Sequence, residues 1–223
     1  MNARTSRIAL IHATRAAVQP VEAAFADLWP EAQHWSLLDE GLTQEVDRQG
    51  GLTDKISERF IRLAEYAANQ GIDGLLFTCT AFGPPMEVCQ QRFAFPTLKP
   101  NEAMLETALE TGDTIGLVAT HPVTLPMLTE QLERLARTAD RSITVRPAMA
   151  AGAWEALHAG DQSAHDRAVV EAAKGLEDCD CIALAQFSMA PLADAIAASV
   201  SPPILTAPHA AVTALRDKIG RQK

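Results

Sequence analysis

The chain of 223 residues repeats itself at a shift of 107 positions, and that duplication constrains its fold more than any other feature. Ile8-Ala9-Leu10-Ile11 falls on Ile115-Gly116-Leu117-Val118; after a one-residue gap, Ala13-Thr14 falls on Ala119-Thr120 and Pro20 on Pro126. At the 107-residue shift Asp73 meets Asp180, and Leu75-Leu76-Phe77 meets Ile182-Ala183-Leu184. Pro84 then meets Pro191, and Pro96-Thr97-Leu98 meets Pro203-Ile204-Leu205. Each pair is weak by itself; the common register carries the inference.

Both halves alternate short apolar runs with longer helical patterns. The runs 8–13, 35–39, 73–79 and 95–99, then 114–120, 142–147, 180–186 and 203–206, are continuous and aliphatic, as parallel strands covered on both faces require. Between them, Thr53–Asn69 carries Ile56, Phe60, Leu63 and Ala67, and Pro126–Ala136 carries Leu128, Leu132 and Leu135, at helical spacing. The expected architecture is α/β, with two pseudo-symmetric, Rossmann-like lobes of four parallel strands each, 1–112 and 113–223. The boundary falls near Thr111–Asp113, with room for the last helix to pack back on the first lobe.

Several function classes are excluded on composition. With 19 Lys+Arg against 28 Asp+Glu, the net charge of −9 argues against a nucleic-acid partner or an anionic membrane surface. The richest apolar stretch, Ala183 to Val200, is interrupted by Gln186, Pro191 and Asp194, so no membrane span is expected. His12 and Arg15 cut the first apolar run short of a signal-peptide core. Cys79, Cys89, Cys179 and Cys181 show neither a disulfide framework nor zinc-ligand spacing, which reads as a cytoplasmic protein without a metal. No glycine-rich dinucleotide or nucleoside-triphosphate motif occurs, so no cofactor is expected.

In open parallel sheets, ligands sit beyond the carboxyl ends of the strands. That rule selects His12, Thr14, Asp39, Glu40, Cys79, Thr80, Lys99 and Asn101 in the first half. In the second it selects Thr120, His121, Gln186, Ser188 and His209. Asp39 and Glu40, as a loop pair of acids, read as solvent-facing, and Thr80 and Ser188 read equally well as caps of the helices that follow.

The segment Phe77-Thr78-Cys79-Thr80-Ala81-Phe82-Gly83 resembles the first cysteine motif of the aspartate/glutamate/hydantoin racemase superfamily. Ala183-Leu184-Ala185-Gln186-Phe187-Ser188-Met189-Ala190-Pro191-Leu192 resembles its second, symmetry-related motif. The resemblance implies a homodimeric, cofactor-independent racemase or isomerase that moves a proton at the carbon alpha to a carboxylate, with the site in the cleft between lobes. It further implies two opposed acid/base cysteines. Cys79 occupies the first position, but 107 residues on stands Gln186, and a carboxamide neither takes nor returns a proton at neutral pH.

Three consequences of that departure are open. His12, His121 or His209 supplies the second acid/base, the first two being the catalytic candidates beside Cys79. Alternatively one thiol suffices, as in the arylmalonate decarboxylases of the same superfamily, although those keep the second-lobe cysteine. Or the protein is a non-catalytic carboxylate binder. Of the strand-end residues, Thr14, Thr80, Lys99, Asn101, Thr120, Gln186, Ser188 and His209 are the candidates for substrate binding. Cys89, Cys179, Cys181, His34, His158 and His165 are assigned no role.

Overall fold

The computed structural model of the chain describes residues 5–221. In chain order the elements are β1 Arg7–His12, α1 Val18–Leu28, β2 Gln33–Leu38, α2 Gly41–Gln49, α3 Asp54–Ala68, β3 Gly74–Phe77, α4 Gly83–Arg92, β4 Thr97–Leu98 and α5 Glu102–Thr111. They continue with β5 Thr114–Ala119, α6 Thr124–Thr138, β6 Thr144–Met149, α7 Ala153–His158, α8 Gln162–Lys174, β7 Cys181–Leu184, α9 Ala193–Ala197, β8 Ile204–Thr206 and α10 Ala207–Gly220. The strands form two four-stranded sheets of the same order, β2-β1-β3-β4 and β6-β5-β7-β8, with every pairing parallel. The fold is α/β, as the sequence predicts. No described helix is long and apolar enough to cross a membrane.

The repeat is visible bond by bond. Asp73 N–H donates to the Arg7 carbonyl at 2.7 Å, and Asp180 N–H, 107 residues on, donates to that of Thr114 at 2.7 Å. In return, Arg7 N–H donates to the Asp73 carboxylate at 2.9 Å and Thr114 N–H to that of Asp180 at 2.8 Å. This carboxylate latch joins the starts of β1 and β3, and of β5 and β7. The backbone N–H groups of Thr114 and Asp113 hold the Asp180 carboxyl below its ordinary value. At the far ends of the same strands Thr78 N–H donates to Ile11 and Ala185 N–H to Val118, again 107 residues apart.

By internal contacts the chain forms two compact units, one running to Glu102 and resuming at Ala211, the other Ala103–Ala210. Most of α10 therefore belongs with the first sheet. A Cβ on Gly74, in β3, would lie 2.8 Å from Ile219 and 3.0 Å from Leu215, so the absent side chain lets α10 close on the strand. In the second unit the Cys181 thiol, at the start of β7, reaches the Ala108 carbonyl of α5 at 3.8 Å.

The first unit's core gathers Ala9, Ile11, Leu75 and Phe77 from the sheet with Ile56, Phe60, Ala64 and Ala67 from α3. Thr53 caps α3 by accepting the Ile56 N–H, so that the apolar stripe enters the core in phase. Phe60 stacks on Phe82 at 4.8 Å between centroids and meets Phe77 at 4.9 Å. In the second unit Leu125, Leu128, Leu132 and Ala136 form the buried face of α6. One expectation fails: the inner strands β1, β3, β5 and β7 are buried, but the outermost strands β2 and β6 are half-buried to exposed. An edge strand has a neighbour on one side only, so its aliphatic run does not need full cover.

Candidate functional site

β3 ends at Phe77, and the chain leaves it through Thr78 and Cys79 into a 3-10 turn, Thr80–Phe82. Thr78 is tightly held. Its N–H and its hydroxyl both reach the Ile11 carbonyl, at 3.1 and 3.3 Å, and the hydroxyl oxygen lies 2.8 Å from His12 Nδ1. His12 Nε2 lies 3.0 Å from the Ser36 hydroxyl on β2. One proton assignment makes all these bonds: Ser36 donates to Nε2, Nδ1–H donates to Thr78, and Thr78 donates to Ile11. The imidazole is fully buried, and burial lowers its pKa to about 4, so it is neutral at physiological pH. His12 is thereby a strut joining three strands, with neither ring nitrogen free.

All four cysteines are free; Cys79 is half-buried and the other three are buried. The Cys79 side chain packs against the first unit's core cluster. Desolvation pushes the thiol up to about 11, with the Ala81 N–H pulling weakly the other way. A three-residue turn offers one N–H where a full helix terminus would offer several, so the resting side chain is a thiol. Thr80 and Ser188 cap neither following helix: α4 begins after Phe82 and α9 after Leu192, both without a side-chain cap. Thr14 accepts the Ala16 N–H at 3.2 Å, and Lys99 pairs with Glu87 at 3.3 Å.

Asp39 and Glu40 are engaged rather than merely solvated, Asp39 by both nitrogens of an Arg59 fork and Glu40 by Arg15. Asn101, just before α5, is 2% exposed, and neither atom of its amide has a hydrogen-bond partner.

In the second unit β5 ends before Thr120 and β7 before Ala185-Gln186. Thr120 N–H donates to Gln186 Oε1 at 3.1 Å, which fixes the carboxamide with its NH2 as the remaining group. That Nε2 and the Thr120 hydroxyl are both buried without a partner. Two uncharged donors thus stand where the duplicated partner of Cys79 belongs. His121 Nδ1 accepts the Val123 N–H at a long 3.4 Å, and its ring meets Trp154 edge-on at 4.6 Å. Trp154 in turn lies 4.2 Å from His158, which bonds the Trp154 carbonyl. His209 pairs with the Thr206 hydroxyl at 2.8 Å. No cluster of metal-ligating side chains occurs among the described residues.

Sequence reasoning did not single out Ser36, Thr78 or Trp154. Ser36 sits on a strand whose register against β1, Leu10 to Ser36, is a tertiary fact, and Trp154 follows a loop that no periodicity places.

No curated protein matches the chain. Among solved structures, an allantoin racemase from Pseudomonas fluorescens is 19% identical with a TM-score of 0.65, over 97% of this chain and 92% of that one. A glutamate racemase from Bacillus anthracis is 15% identical with a TM-score of 0.75, over 99% and 84%. A mutant of arylmalonate decarboxylase is 16% identical with a TM-score of 0.63, over 96% and 93%. At these identities the likeness is one of fold. Residues 43–221, most of the chain, match the Asp/Glu/hydantoin racemase model, and the chain belongs to that family.

Proposed function

We propose that the chain is a cofactor-independent racemase or isomerase that moves a proton at the carbon alpha to a carboxylate, with Cys79 as one acid/base. The carrying observation is that Cys79 alone among the four free cysteines is only partly buried, at the carboxyl end of a central strand and next to Thr78, which His12 and Ser36 brace. In one direction His121 takes the α-proton at Nδ1, giving up its long contact with Val123; the substrate becomes an enediolate and the Cys79 thiol returns a proton to the carbon. Thiolate and imidazolium are then reset by exchange with water. Thr80, Ser188, Thr120 and Gln186 hold the carboxylate as neutral donors, which stabilises the enediolate. In this reading His12 positions Thr78 and transfers no proton. The family and the unpaired cysteines suit a cytoplasmic enzyme working as a homodimer.

A second reading is favoured by one observation, the carboxamide at 186. With a single protonated thiol, the chain would release carbon dioxide from a malonate-type diacid and protonate the remaining enediolate from one side. Both readings are tested by incubating the protein in deuterated buffer with amino acids, hydantoins and substituted malonates while following the α-position by NMR. Exchange with inversion supports the first and loss of carbon dioxide the second. Binding without either reaction overturns both and leaves a carboxylate-binding protein.

A further inference from the structure

The backbone brings Trp154 to His121 by a fixed route. The chain leaves β6 at Met149, and Ala150 N–H donates to the Ala119 carbonyl at 2.9 Å, which ties this turn to the end of β5 two residues before His121. Gly152 then takes a left-handed φ of 76°, and α7 starts at Ala153, a buried residue whose N–H donates to the Ala150 carbonyl at 3.1 Å. Trp154 follows, half-buried, with its indole 4.6 Å from the His121 ring at an angle of 75°. One turn on, His158 Nδ1–H donates to the Trp154 carbonyl at 2.8 Å and sets a second imidazole 4.2 Å from the indole. The indole is braced by its own helix, whereas the His121 ring is held by a long bond, the Val123 N–H at 3.4 Å.

We infer that Trp154 is a positioning residue for His121, keeping the imidazole in place when Nδ1 leaves Val123 and stabilising the imidazolium that results. This rests on the proposed role of His121 as the second acid/base and supplies what that role needs. A histidine base is commonly oriented by a carboxylate; among the described residues the contacts of His121 are a backbone N–H and an indole. Once Nδ1 has taken the α-proton it can no longer accept from Val123, and Trp154 is the contact that remains. An indole attracts a cation within about 6 Å of its centroid, more strongly than a phenyl ring does. The neutral imidazole gains less from the same contact, so the indole favours the state in which the proton has moved. Leucine at 154 would fill space without a π-system, and phenylalanine would keep a weaker one.

Two enantiomers are equal in energy, so racemisation has the same kcat/KM in both directions and cannot separate the two acid/bases. The test therefore follows α-proton exchange in deuterated buffer from each enantiomer by itself, with alanine, aspartate, glutamate and 5-isopropylhydantoin as probes. His121→Ala identifies the enantiomer whose exchange depends on His121. Trp154→Leu is expected to slow exchange of that same enantiomer about 10-fold in kcat, with KM, and exchange of the opposite enantiomer, within about 2-fold of wild type. Trp154→Phe should show a smaller loss, about 3-fold, confined to the same enantiomer, and it carries the test if Trp154→Leu does not fold. Equal slowing of both enantiomers, with or without a lower Tm, would mark a packing role and overturn the inference, as would a Trp154→Phe protein no faster than Trp154→Leu. Selective slowing by His121→Ala beside an unaffected Trp154→Leu leaves the proton-transfer reading standing and overturns the role of Trp154. If His121→Ala slows neither enantiomer selectively, or wild type exchanges none of the probes, the reading of His121 as an acid/base fails and the role of Trp154 falls with it.

Discussion

His12 Nδ1 and Thr78 Oγ1 lie 2.8 Å apart across 66 residues of sequence, and the next residue after Thr78 is Cys79, the half-buried cysteine. A buried neutral imidazole thus fixes the backbone from which Cys79 projects. Replacing Thr78 by Val strands one ring nitrogen and is expected to cost about 1–3 kcal/mol in urea unfolding. Activity should fall with it, and Thr78→Ser should restore both.

His12 titrates in a definite window. Its folded value, about 4, lies below the ordinary 6.5, so between those values the unfolded chain binds a proton that the folded chain refuses. Its contribution is complete above pH 6.5 and is lost as pH falls towards 4, by about 3 kcal/mol. Unfolding at pH 7 and pH 4.5 should show a steeper loss for wild type than for His12→Gln, which keeps polar contacts without titrating.

The Cys79 thiol separates the two chemistries by pH. Because it is raised to about 11, a reaction that needs the thiolate should show kcat/KM rising through the alkaline range. A reaction that only spends the thiol's proton should be flat from about pH 7 to 9 and fall towards 11. A racemase should therefore show the rising profile of kcat/KM for α-proton exchange with one enantiomer and the flat one with the other, whereas one-sided decarboxylation shows the flat profile alone.

Gln186 stands where the repeat would put a second thiol, with its amide fixed by Thr120. Gln186→Cys is expected to introduce or increase inversion at the α-carbon, read by chiral chromatography, while Gln186→Ala should not. Equal effects of both substitutions would count against the duplicated assignment.

Gly112 is packed against Asp180, whose Cβ lies 2.2 Å from where a glycine-to-alanine change would put a methyl. Gly112→Ala is expected to destabilise the chain by about 1–3 kcal/mol, measured by thermal or urea unfolding, because the carboxylate latch on Thr114 must shift.

The duplicated strands were legible because a buried parallel strand demands an unbroken aliphatic run, and that demand recurs 107 residues on at Ile8 and Ile115, and at Leu75 and Ile182. α3 was legible down to its caps, Thr53 and Asn69, since periodicity and N-cap chemistry agree there. The residues at strand ends followed from topology. What each does there was not legible. Whether a histidine is a base or a strut depends on Ser36 and Thr78 arriving from other strands, and whether a thiol is acidic depends on how much water its surroundings exclude. Asp39 and Glu40 read as solvated acids, yet their arginine partners come from α3 and from the turn after β1.

The most direct measurement is solvent deuterium incorporation at the α-carbon by wild type and Cys79→Ser, on whichever carboxylate wild type turns over. Loss of at least 100-fold in rate, with the melting temperature and substrate binding retained, is the expected result. Incorporation at the wild-type rate by a folded Cys79→Ser protein would contradict the assignment of Cys79 as the acid/base.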